Sequence, residues 1–133
     1  MLKWIIAYIA AAVAFGALDS VWLRWASDNL YRPVIGEIMA ESFRMGPAIA
    51  FYLIYIGGMT WFAIRPGLET GNVFTAALNG AILGFVCYAT FDFTSQAVMK
   101  VWAWHISIAD IAWGTFATSI ASTIACGAAL RLA

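Results

Sequence analysis

Four long apolar runs, separated by short polar or turn-forming segments, organise this chain. Leu2 to Leu23, Met45 to Ile64, Val73 to Val98 and Ser107 to Leu130 each supply roughly the 20 residues that an α-helix needs to cross a hydrocarbon core. The breaks between them have plain chemistry. Arg65-Pro66-Gly67 ends the second run and Gly71-Asn72 introduces the third, through residues that stop and start helices. Lys100, Trp102, Trp104 and His105 mark a short turn at a membrane–water interface, where aromatic belts collect. The pattern predicts one membrane domain over residues 1–133, an all-α integral membrane protein built as a four-transmembrane-helix bundle.

The longest connection, Arg24 to Arg44, has its own periodicity. Pro33 suits the first turn of a helix. Leu30, Val34, Ile35, Ile38, Met39 and Phe43 recur at three-to-four spacing opposite Arg32, Glu37 and Glu41. This predicts a short amphipathic helix, Pro33 to Phe43, lying on the membrane surface between helices 1 and 2.

Composition agrees with lipid as the solvent. Hydrophobic residues make up 64% of the chain and charged ones 11%, against roughly 25% charged in soluble domains. A net charge of zero leaves no basic patch for nucleic acid, so the expected partner is membrane lipid. An even number of crossings places both termini on one side, as expected for a multi-pass protein of a bacterial inner membrane. Lys3, Arg65 and Arg131 on that side nearly balance Arg24, Arg32, Arg44 and Lys100 on the other, which gives the positive-inside rule no direction. Lys3 and the Ala14-Phe15-Gly16 stretch resemble a signal peptide, but the apolar run continues through Leu23, so the segment is read as a retained first helix. Cys87 and Cys126 fall inside apolar runs at different depths and read as packing residues.

Three acids interrupt the apolar runs: Asp19, Asp92 and Asp110. A carboxylate at mid-membrane costs at least about 2.5–3.5 kcal/mol, so each needs an account. All three lie toward the side opposite the termini. In helix 1 the i+4 ridge reads Ala7, Ala11, Phe15, Asp19; in helix 3 it reads Ala76, Gly80, Gly84, Tyr88, Asp92, Gln96; in helix 4 it reads Asp110, Gly114, Thr118, Ser122, Cys126. Each aspartate thus continues a face made for helix contact. Gly80-x-x-x-Gly84 is a close-approach pattern and a candidate homodimer face. Structural roles compete with functional ones. Ser107-x-x-Asp110 fits a capping box at the start of helix 4, and Asp19 has Arg24 as a neighbouring cation. Asp92 has no local partner. Tyr52 and Tyr55 of helix 2, and Thr94-Ser95-Gln96 after Asp92, are placed to add polar groups. Trp22 and Trp113 each follow an acid by three residues, on its face, as ligand-pocket walls or as packing.

His105 is the single histidine, and no ligand spacing around it indicates a metal site. No phosphate loop, dinucleotide fingerprint, catalytic triad or CxxC motif occurs, and no cofactor is expected. The candidate polar pocket is therefore Asp19, Asp92, Asp110, Tyr88, Thr94, Tyr52, Trp22 and Trp113.

Leu18-Asp19-Ser20-Val21-Trp22-Leu23, Tyr31-x-x-x-Ile35-Gly36, Phe51-Tyr52-Leu53-Ile54-Tyr55, Tyr88-Ala89-Thr90-Phe91-Asp92-Phe93-Thr94 and Asp110-Ile111-Ala112-Trp113-Gly114 occur in that order. Together they resemble the bacterial membrane-protein family catalogued as domain of unknown function 2177, over nearly the whole chain. The resemblance implies a compact multi-pass protein with the same three acids as signature positions, and names no activity. This chain departs from the family at Thr94-Ser95, where Thr-Asn is usual. Three functions remain in view: binding or processing of a lipid or apolar small molecule around Asp92 and Asp19, an accessory subunit of a membrane complex with structural aspartates, and a small dimeric proton-coupled transporter.

Overall fold

The computed structural model describes residues 1–42 and 44–133, and all regular structure among them is helical. Four helices are long and apolar enough to cross a membrane: α1 (Leu2–Ile38), α2 (Met45–Thr70), α3 (Val73–Val98) and α4 (Trp104–Leu132). Ile5, Ile9, Val13, Leu53, Ile54, Leu78, Ile82, Phe116 and Ile124 are exposed on their outer faces. A soluble monomer does not carry so broad an apolar surface; here it is the lipid-facing belt.

Two helices run farther than their sequence suggests, and proline explains both. A proline ring clashes with the carbonyl four residues back and gives it no N–H. In α2 that carbonyl belongs to Phe62, inside a π-helical turn over Thr60–Ile64 that immediately precedes Arg65-Pro66. The wider turn accommodates the ring, Asn79 of α3 donates its side-chain amide to the Phe62 carbonyl at 3.3 Å, and the helix continues to Thr70. It ends at Gly71, whose φ of +65° lets the Asn72 N–H reach the Gly67 carbonyl at 3.0 Å in a left-handed cap. In α1 the corresponding carbonyl is that of Asn29, inside a second π-helical turn over Ser27–Tyr31, and again Arg32-Pro33 follows.

The expected separate interfacial helix is therefore replaced by a continuation of α1. Pro33 to Ile38 stay helical, Met39 is extended, residues 40–42 are non-helical, and Phe43 lies outside the described residues. At 37 residues and 1.5 Å per residue, α1 is about 55 Å long, well beyond a ~30 Å hydrocarbon core, so its last turns extend past the hydrocarbon.

The i+4 ridges form the core. Ala7, Ala11, Phe15 and Asp19 are the buried residues of α1 before Ala26; Ala76, Gly80, Gly84 and Asp92 are those of α3. All five positions of the α4 ridge are buried. The closest approach is between α3 and α4. A Cβ on Gly84 would overlap the Gly114 carbonyl oxygen, and one on Gly80 would stand 2.9 Å from the Ser122 hydroxyl and the Thr118 carbonyl. The small-residue face considered for a homodimer is thus filled by α4 of the same chain. Tyr55 and Thr118 share a hydroxyl hydrogen bond at 2.8 Å, and Tyr8 donates to the Leu53 carbonyl at 3.0 Å, fastening α2 to α4 and α1 to α2.

Candidate functional site

The three aspartates occupy three different environments. Asp19, from α1, is buried and accepts two hydrogen bonds: one from the Tyr52 hydroxyl of α2, the other from the Trp113 indole of α4 at 3.3 Å. Arg24 is not its partner. The ion pairs among the described residues, Arg32–Asp28 at 3.1 Å and Arg65–Glu69 at 3.4 Å, are exposed i,i+4 pairs away from the three acids. Trp113 is held in turn by Trp22, whose ring stacks on it with centroids 5.0 Å apart and planes 5° from parallel.

Asp110 does not cap its helix. α4 starts at Trp104 behind Ala103, so Ser107 is already inside the helix and Asp110 is almost two turns in. Pulling the start back by one turn frees both residues from capping. Ser107, fully buried, receives the Trp102 indole N–H at 3.0 Å and donates to the Gln96 side-chain oxygen at 2.8 Å. Asp110 is buried and accepts the hydroxyl of Tyr31, from the π-helical turn of α1.

Asp92, from α3, is fully buried, and neither of its oxygens has a hydrogen-bond donor among the described residues. Its polar neighbour is the Asp110 carboxyl. Buried carboxylates are normally paired, so this pair of facing acids is the least satisfied point of the bundle.

A cavity of about 580 Å³ opens beside these acids, within the ~300–1,000 Å³ usual for small-molecule sites. Asp19 and Asp110 line it, and Asp92 does not. Tyr31, Tyr55 and Tyr88 form part of its wall, with Trp22, Phe91 and Trp102. Ile35 and Met39, from the tail of α1, and Phe51 of α2 complete one side, and Cys87 reaches it from α3. A second groove, about 640 Å³ between α3 and α4, is lined by Phe85, Ile108 and Phe116 among others and carries no titratable side chain among the described residues.

Of the eight residues expected in the pocket, Asp19, Asp110, Tyr88 and Trp22 line the cavity, Tyr52 and Trp113 bond Asp19 without lining it, and Asp92 is outside the lining. Thr94 is not part of it. It is exposed on α3, because two residues past Asp92 is about 200° around the helix. Sequence reasoning gave Tyr31 no role at the pocket, read Trp102 as an interfacial residue and read Ser107 as a helix cap. Tyr31 lies in the connection read as surface helix, and its one signal was its place in the Tyr31-x-x-x-Ile35-Gly36 motif.

Four apolar helices around a cavity that displays buried carboxylates define a multi-pass helical membrane protein with an internal acidic site. The chain belongs to the family described as predicted membrane protein (DUF2177), whose model matches residues 4–127. That span takes in all three aspartates and the whole cavity lining. Neither curated proteins nor solved structures give a match.

Proposed function

We propose that this protein binds or processes a lipid or other apolar small molecule in the cavity built around Asp19 and the Asp92–Asp110 pair, within a bacterial inner membrane and with both termini on one side. The cavity carries the reading. A bundle that elsewhere packs glycine and alanine at close approach leaves about 580 Å³ open where its carboxylates are. Aromatic walls suit an apolar body, and a few placed polar groups orient it, which is the usual division of labour in a ligand site. Ile35 and Met39 of the α1 tail line the cavity, and the proposed route of entry runs past them from the interface.

The test is extraction. The full chain is purified from membranes in a mild detergent, and its small-molecule content is compared by mass spectrometry with that of Cys87→Phe, which fills the cavity from α3. A molecule held in near-stoichiometric amount by the natural chain and lost from the filled variant is the expected result. Identical extracts from two folded proteins would refute the reading.

A further inference from the structure

The lining of the cavity is one-sided in charge. Asp19 and Asp110 contribute carboxylates, while no lysine, arginine or histidine lines it among the described residues. The basic residues Arg24 and Arg32 of α1 line an adjoining outer groove that shares Leu23 and Ser27 with the cavity, and there Arg32 is already paired with Asp28 at 3.1 Å.

Every donor that the described residues offer these acids is neutral: Tyr52 and Trp113 to Asp19, Tyr31 to Asp110. A carboxylate has about four acceptor positions, so both groups keep unused capacity on the cavity side. Beside Asp110, Asp92, fully buried and without a donor among the described residues, adds a third acid and no compensating charge. The site is therefore rich in acceptors, and no basic side chain among the described residues lines it.

The walls match that need. Trp102 spends its N–H on Ser107, leaving its ring for contact, and the rings of Trp22, Tyr88 and Phe91 stand around the same space. Aromatic faces attract ammonium groups, most strongly when water is excluded.

We infer that the occupant is a cationic amphiphile, an ammonium group on an apolar body, with the ammonium beside the Asp19 and Asp110 carboxylates and the body against the aromatic walls. This inference rests on the proposed binding role of the cavity and specifies its ligand class. An anionic headgroup would meet two carboxylates with no counter-charge, and a neutral alcohol would satisfy acceptors without supplying the missing charge.

Cys87 provides a direct reading of occupancy, because it lines the cavity while Cys126 is fully buried elsewhere. The full chain in neutral lipid nanodiscs is treated with N-ethylmaleimide in the presence of dodecylamine, dodecanol or dodecanoate at equal mole fraction in the bilayer. Modification of Cys87 is followed by peptide mass spectrometry. Dodecylamine is expected to protect Cys87 at a concentration about tenfold lower than dodecanol, with dodecanoate weakest. Asp19→Asn with Asp110→Asn is expected to remove the preference for the amine. Equal or better protection by dodecanol or dodecanoate overturns the cationic assignment and leaves the cavity as an apolar-ligand site. No protection by any of the three overturns the binding role itself. The comparison of probes on the unsubstituted chain decides these outcomes even where the double variant fails to fold.

Discussion

Tyr31 and Asp110 lie 79 residues apart, and the hydroxyl of one donates to the carboxylate of the other. The contact closes the bundle on its acidic side, since Tyr31 belongs to the π-helical turn of α1 and Asp110 to the second turn of α4. It is also the only hydrogen bond from a protein donor to Asp110 among the described residues. Tyr31→Phe therefore leaves a buried carboxyl unpaired and is expected to destabilise by about 1–3 kcal/mol. Thermal unfolding in detergent measures the loss. Asp110→Asn in the same background should recover part of it, so the pair should be non-additive.

The glycines at the α3–α4 contact predict a sharp contrast. A Cβ on Gly114 would enter the Tyr88 ring, and one on Gly84 would meet the backbone of Gly114. Gly114→Ala and Gly84→Ala are expected to cost about 1–3 kcal/mol or more by overpacking. Gly16, on α1, has nothing within 4 Å of the same position. Gly16→Ala should be neutral or stabilising by up to ~1 kcal/mol, the helix-propensity difference. Equal behaviour of the three variants in a denaturation series would count against the packing described here.

Pro66 and Asn79 are predicted to be coupled although they lie on different helices. Pro66 has no N–H for the Phe62 carbonyl, and Asn79 supplies one from α3. Asn79→Ala is expected to cost about 1 kcal/mol in the natural chain. In a Pro66→Ala background the backbone can satisfy Phe62 itself, so the same change should cost little. A double-mutant cycle on unfolding free energy gives the coupling, and additive effects would contradict it.

These relationships show where the sequence was readable. The i+4 ridges of α1, α3 and α4 mark the buried faces, because small and polar residues favour helix–helix contact while large apolar ones can face lipid. Asp19, Tyr88 and Asp110, which line the cavity, were legible as inward-facing residues for that reason. Pro33 and Pro66 were misleading. Proline ordinarily starts or stops a helix, and no local signal distinguishes that from a π-helical turn that absorbs it. With Pro33 read as a new start, Tyr31 was assigned to a surface connection instead of the wall of the cavity. Ser107 was misplaced by a related ambiguity, since its spacing to Asp110 fits a cap as well as an interior pair, and the true start at Trp104 depends on the contacts Ser107 makes with Trp102 and Gln96.

Asp92 gives the prediction that separates a functional carboxyl from a structural one. It is fully buried with no donor on either oxygen among the described residues, and it faces another carboxyl. Replacing one of two facing acids by an amide introduces an N–H that can donate to the remaining one. Asp92→Asn is therefore expected to raise unfolding stability, by an amount on the order of 1 kcal/mol. Asp92→Ala should lower stability by leaving a void beside Asp110. A residue kept at a cost to stability is characteristic of a working site. If Asp92→Asn is more stable and also loses the protection of Cys87 by bound amphiphile, the acid is retained for ligand binding. Should Asp92→Asn unfold instead, the carboxyl holds the bundle together, and the case for its function would have to rest on Asp19 and Asp110 alone.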